Sequence, residues 1–220
     1  MTVRQHFDPS RLFWDAAYRD GDDHEHWNDG GGAEGASVYG QPVFLSWLDQ
    51  ELADEGRLVL DVGCGRGGLI GELAGRSPGR AVRWLGVDLS LAALAGAGDG
   101  GCGPRRRSPV ALVAARAAAL PLAAASVDAV VERGMLHGFE PPARQRALAE
   151  LARALRPGSC CWLEGAREDD EESGLTGLDG PAFVGQLQAA GLRVVASGDS
   201  GLVARSGRLA ARWWRLERFG

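Results

Sequence analysis

The chain has 220 residues, 45% of them hydrophobic, enough to bury one sizeable core. Its formal net charge of −5 provides no long-range positive field to gather phosphate backbones, so no nucleic-acid partner is expected. All 24 basic residues are arginine, and a chain without lysine can form neither a lysine Schiff base nor a phosphate loop ending in Gly-Lys-Ser/Thr.

No apolar run approaches the ~20 residues of a membrane span or the core of a signal peptide, so a cytoplasmic protein without a membrane partner is expected. Cys64, Cys102, Cys160 and Cys161 contain no Cys-x-x-Cys pair and read as free thiols.

Leu12, Phe13, Ala16 and Ala17 recur near helical spacing and predict a helix over 11–20, stopped by Gly21. The following stretch, GDDHEHWNDGGGAEG, has no periodicity and reads as a loop. His24 and His26 lie there beside Asp22, Asp23 and Glu25 but have no matching distant ligand, so no metal site is expected. A second helix is predicted from Pro42 to Leu52, with Val43, Phe44, Trp47 and Leu48 on its apolar side. Residues 1–56 are thus expected to form N-terminal helices and a lid, in the same domain as a core over residues 57–220.

From residue 57 strands alternate with helices: LVLDVG, VRWLGVD, VALVAA, VDAVVER, SCCWLEGA, LRVVASG and LAARWWRLER, with a helix from about Pro142 to Leu155 between the fourth and fifth. Near-continuous apolar strands alternating with helices predict a doubly wound α/β fold, its mostly parallel sheet covered on both faces. The last two strands are separated by too few residues for a parallel crossover, which predicts an antiparallel last strand. Gly198-Asp199-Ser200-Gly201 resembles a hydrolase nucleophile but lacks a suitable surrounding pattern, and reads as a turn. The acidic run Glu168–Glu172 reads as a solvated loop near the substrate entrance.

The chemistry is concentrated in LVLDVGCGRGG, where a buried strand runs into Gly63, Gly65, Gly67 and Gly68 and then into a helix. Such a turn lets a ligand lie against the backbone, and it serves several nucleotide-type cofactors alike. Asp61, two residues before the first glycine, suits a ligand ammonium and would repel a pyrophosphate. Asp88, closing the next strand, can accept hydrogen bonds from two ribose hydroxyls.

The succession DVGCGRG, GVDLS, AAALPLAAASVDAVV and LARALRPGS resembles the class I S-adenosylmethionine-dependent methyltransferases over about half the chain. That resemblance implies a seven-stranded Rossmann-like sheet, S-adenosyl-L-methionine as cofactor and a small-molecule acceptor, with a thiol, phenol or quinol favoured. It implies that Asp61, Gly63 and Gly65 line the methionyl portion, that Asp88 holds the ribose and that Leu89 packs on adenine. Arg133, ending the fourth strand, joins the cofactor-binding set. The position that is often acidic and contacts the adenine amino group falls on Arg116, so adenine recognition is expected to pass to the backbone of Ala117.

The segment FWDAAYRDGDDHEHWNDG is similar to the opening of thiopurine-like and tellurite-resistance-like methyltransferases, whose tryptophan-bearing flap covers the cofactor. Trp14 and Trp27 could then present π faces to a sulfonium, although Trp14 also fits the core face of its own helix. In GMLHGF after the fourth strand, His137 is the candidate general base, the alternative being a packing histidine. A nicotinamide-dependent reductase and a non-catalytic cofactor-binding protein of the same fold remain the rival readings.

Overall fold

The computed structural model describes residues 10–20, 42–52, 56–76, 82–98, 110–170, 174–204 and 207–220. The expectations about Trp27, the His24–His26 loop and Cys102 lie outside the described residues.

Strand β1 (Leu58–Val62) is buried along most of its length and pairs in parallel with β2 (Arg83–Asp88) on one side and β4 (Val127–Arg133) on the other. β3 (Val110–Ala114) lies outside β2, and β5 (Leu155–Ala166) lies outside β4, both parallel. The order is β3-β2-β1-β4-β5-β7-β6, with β6 spanning Leu192–Ala204 and β7 Gly207–Arg218. β7 is antiparallel to both neighbours, as the short connection requires. This is the expected seven-stranded, mostly parallel doubly wound α/β sheet.

The chain moves outward from β1 through β2 to β3, then returns to place β4 on the other side of β1. Such a reversal opens a crevice at the carboxyl ends of β1 and β4.

Alternation along the strands divides the core into two layers. Leu60, Val62, Val130 and Leu163 belong to a cluster with α5 (Pro141–Ala154) and α6 (Gly180–Ala189), through Leu148, Leu151 and Phe183. Val59, Val131 and Trp162 belong to the opposite layer with α2 (Pro42–Glu51) and α3 (Gly68–Arg76), through Phe44, Trp47, Ile70 and Leu73. Trp162 lies 4.9 Å from Trp213 in a stacked pair and 5.3 Å from Phe44, so rings from β5, β7 and α2 form one aromatic block. Helix α1 (Arg11–Asp20) stands apart from both layers and packs against α4 (Leu91–Ala95).

Two local expectations are corrected. The helix expected to reach Leu155 ends at Ala154, because Leu155 already pairs with Val127 and opens β5, ahead of a bulge that restores register at Cys160. The expected turn at Gly198–Gly201 is instead part of β6, where Gly198 pairs with Trp213. A Cβ on Gly198 would stand 2.6 Å from Trp213 Cζ2, so this glycine makes room for a cross-strand indole.

Among the described residues no helix is long and apolar enough to cross a membrane. Nor does any group of His, Cys, Asp or Glu among them suit a metal. Cys64, Cys160 and Cys161 are buried free thiols.

Candidate active site

The turn after β1 is held by its own backbone. Gly63 and Cys64 N–H both donate to Val87 O, at 2.8 and 3.1 Å, and Gly67 N–H donates to Cys64 O at 2.8 Å. Gly63 has φ +76°, and a Cβ there would stand 2.8 Å from Met135 Cβ, so only glycine lets the β4 loop close on this turn. Asp88 ties the turn to β2: its Oδ2 accepts from Gly65 N–H and its Oδ1 from Ser90 N–H, both at 2.8 Å. Burial pushes the Asp88 carboxyl pKa up, opposed by these N–H donors. Each oxygen keeps a further lone pair for a ligand hydroxyl.

Above these strand ends lies a cavity of about 260 Å³. On the β2–β3 side it is lined by Asp88, Leu89 and the tight turn Ala115–Ala118, closed by Ala119 N–H to Arg116 O at 2.9 Å. On the β4 side the lining residues are Arg133, Gly134, Met135, Phe139, Ala143 and Arg146. Trp14 and Tyr18, one helical turn apart on α1, complete the wall.

Seven of the expected site residues therefore meet at one cavity: Trp14, Gly63, Asp88, Leu89, Arg116, Ala117 and Arg133. Gly65 does not line it but donates to Asp88 from behind. The described part of the acidic run, Glu168–Asp170, is not among the lining residues.

Asp61 lies beneath the cavity and not on its surface. It is 4% exposed, and its Oδ2 has no hydrogen-bond partner. Burial foremost, then the Asp88 carboxylate, raises its pKa to about 7, while Arg133 acts against them. An orphaned buried carboxylate oxygen below Gly63 suits an incoming ammonium, so the residues present fit a methionyl group on this side and a ribose at Asp88. Arg133 is held by Glu164, with Nε to Oε2 at 2.7 Å, and its guanidinium lies 5.4 Å from the Phe44 ring centroid. Neighbouring Glu132 is fully buried: its Oε1 accepts from Met135 N–H at 2.5 Å and Leu136 N–H at 3.0 Å. Burial raises the Glu132 pKa to about 8, so near neutrality this side chain is largely a protonated acid shaping the β4 loop.

His137 is not brought to the cavity. It sits in the 3-10 turn Leu136–Gly138, is 1% exposed, and its Nδ1 accepts from Ala166 N–H at 3.0 Å. A bond to the Gly134 backbone engages the ring further, while burial and then Arg144 lower its pKa to about 4. An acceptor at Nδ1 fixes the neutral tautomer with hydrogen on Nε2. The expected general base is thus a neutral ring that ties the β4 loop to the end of β5.

Three cavity or near-cavity residues escaped sequence reasoning: Asp15, Phe139 and Arg146. Asp15 is 4% exposed on α1, and its Oδ1 accepts from Ser90 Oγ at 2.7 Å and Ala92 N–H at 3.1 Å. An acidic residue between Trp14 and Ala16 on a helix face was the available signal. Phe139 and Arg146 needed knowledge of how the β4 loop leads into α5.

Residues 59–158 match the family model described as a methyltransferase domain, a span that contains the glycine turn, Asp88 and the whole β4 loop. That match agrees with the resemblance to the class I S-adenosylmethionine-dependent methyltransferases carried by the glycine turn and Asp88. No curated protein matches it. Among solved structures, one described by conversion of a disulfide bond into a thioacetal group during echinomycin biosynthesis is 23% identical, with TM-score 0.66, covering 95% of this chain and 91% of that one. Geranyl diphosphate C-methyltransferase from Streptomyces coelicolor A3(2) is 16% identical, with TM-score 0.65 and coverages of 94% and 96%. The [4+2]-cyclase SpnF is 16% identical, with TM-score 0.65 and coverages of 88% and 86%. At these identities the likeness is one of fold.

Proposed function

We propose that the chain methylates a small acceptor that reaches the site already ionised, a thiolate or an acidic phenol, with an apolar body and a negative charge that Arg146 can meet. The observation that carries this reading is the make-up of the cavity wall. On the acceptor side Met135, Phe139 and Ala143 are apolar and Arg146 is exposed, with no ion-pair partner among the described residues. The described lining residues include no imidazole and one carboxylate, Asp88, whose oxygens already bind Gly65 and Ser90. An acceptor that is an anion in solution needs no proton taken from it.

When bound, S-adenosylmethionine supplies a methyl group open to in-line displacement. The residues' part is positioning and exclusion of water. Asp88 would accept from the ribose hydroxyls, the Ala117 backbone and Leu89 would frame the adenine, and Asp61 with Gly63 would face the methionyl end. Trp14 and Tyr18 would shield that cation from solvent with their rings. In this reading residues 1–56 are a lid on a core of residues 57–220, the protein works in the cytoplasm, and no nucleic acid takes part. The echinomycin-pathway neighbour, whose description concerns sulfur chemistry, supports the thiol alternative.

A second reading, a cofactor-binding protein without methyl turnover, draws support from the same lack of a base and from a neighbour described as a cyclase. Mass spectrometry with isotope-labelled cofactor, across thiols, phenols and amines of graded pKa, separates the two. Product formation should track the ionised fraction of the acceptor. Equal methylation of high-pKa amines would overturn the acceptor class, and binding without any product would favour the second reading.

A further inference from the structure

Helix α1 carries two cavity residues, Trp14 and Tyr18, yet it belongs to neither core layer. Its attachment is polar. Asp15, between them on the inward face, accepts at one oxygen from both Ser90 Oγ and Ala92 N–H, at 2.7 and 3.1 Å. Its other oxygen faces Arg11 and Arg19 of its own helix, at 3.6 and 3.9 Å. A second tie is Arg66 of the glycine turn, whose Nη2 donates to Tyr18 O at 3.2 Å.

Ser90 is the shared element. It is fully buried; its N–H donates to Asp88 Oδ1 at 2.8 Å, its hydroxyl donates to Asp15, and its Oγ accepts from Ala93 N–H at 3.1 Å as the cap of α4. A hydroxyl has one proton to give, and here it is committed to α1. The carboxylate that faces the ribose and the carboxylate that anchors the lid helix are therefore joined through one residue. Placing α1 and placing the Asp88 loop are one event and not two.

We propose that Asp15 is a positioning residue that latches α1 over the adenosyl pocket, so that cofactor affinity depends on a side chain that touches no cofactor atom. Losing the latch would leave α1 undocked for part of the time. Apparent affinity falls by the fraction of molecules with the wall in place, so docking reduced to about a tenth weakens binding about tenfold. The inference rests on the S-adenosylmethionine reading of the pocket and adds a residue to it.

The test is calorimetry with S-adenosylhomocysteine, paired with amide hydrogen exchange of residues 11–20, on wild type, Asp15→Ala and Asp15→Asn. The asparagine keeps an oxygen for Ser90 and Ala92. The expected result is an affinity about tenfold lower for Asp15→Ala, faster exchange in α1 alone, and a return toward wild type on both readouts in Asp15→Asn. Wild-type affinity in a folded Asp15→Ala, or weakened binding with α1 exchange unchanged, would overturn the latch. So would an Asp15→Ala chain that fails to fold, since a latch is local. Failure of the wild type itself to bind S-adenosylhomocysteine would sink the cofactor reading instead, leaving the exchange comparison legible in the unliganded protein.

Discussion

Replacing His137 by asparagine separates a base from a structural ring. The folded imidazole has a pKa lowered to about 4 from an ordinary 6.5, chiefly because burial penalises its charged form. In the unfolded chain the ring takes up a proton as the pH drops below 6.5; in the folded chain it stays neutral until about 4. Its contribution to stability is therefore complete above 6.5 and is lost as pH falls from 6.5 toward 4. That gap is worth about 3 kcal/mol in full, of which about 2 kcal/mol is lost between pH 7.5 and 5. Asparagine retains an acceptor near the Nδ1 position for Ala166 N–H but gives up ring volume and the Nε2–H donor, so at pH 7.5 the variant should be about 1–3 kcal/mol less stable. As pH falls the two proteins should converge, because only the wild type has this ring to protonate. Urea unfolding of both, followed by circular dichroism from pH 7.5 to 5, gives the difference directly. Buried acids such as Asp61 and Glu132 are common to both chains and largely cancel. A gap that does not change with pH would refute the buried neutral ring. A loss of kcat by roughly 10²–10⁴ with unchanged stability would restore His137 as a general base.

Three further outcomes are expected. Asp88→Ala should weaken S-adenosylhomocysteine binding by about 1.5–3 kcal/mol in calorimetry with a native-like dichroism spectrum; unchanged affinity would move the ribose elsewhere. Gly86→Ala would put a methyl group 2.6 Å from Leu112 Cδ2 and 2.8 Å from both Cys64 Sγ and Ile70 Cδ1. It should cost about 1–3 kcal/mol in urea unfolding, and a neutral result would mean that α3 yields easily. Arg146→Gln should raise KM for an anionic acceptor roughly tenfold, the scale of one lost charge-assisted hydrogen bond, with kcat and S-adenosylhomocysteine affinity little changed; an unchanged KM would remove Arg146 from acceptor recognition.

What the sequence revealed and what it concealed differ by range. All seven strands could be located because each contains an apolar stretch, although β5, β6 and β7 extend beyond the stretches read, and the glycine turn, Asp88 and Leu89 could be placed because strand ends fix where they fall. His137 was placed correctly at the end of β4, but its direction depends on the Leu136–Gly138 turn and on the Ala166 amide, 29 residues away. Asp15 was invisible for the same reason, its partners lying 75 and 77 residues along the chain. Gly198-Asp199-Ser200-Gly201 misled in the opposite sense. Its composition favours a turn, and the Trp213 indole across the sheet overrides that preference.

The position of β7 between β5 and β6 has a consequence for biogenesis. A ribosome delivers β6 before β7, yet β6 has no neighbour in the sheet until β7 arrives to pair with both it and β5. While translation passes through residues 192–206, the open edge of β5 presents unpaired backbone beside Trp162, whose stacking partner Trp213 has not yet been synthesised. An apolar, unpaired strand edge is a template for association with other chains. Translation pauses within this window should therefore lengthen the nascent chain's exposure to aggregation, whereas pauses upstream of β5 should leave that edge unmade.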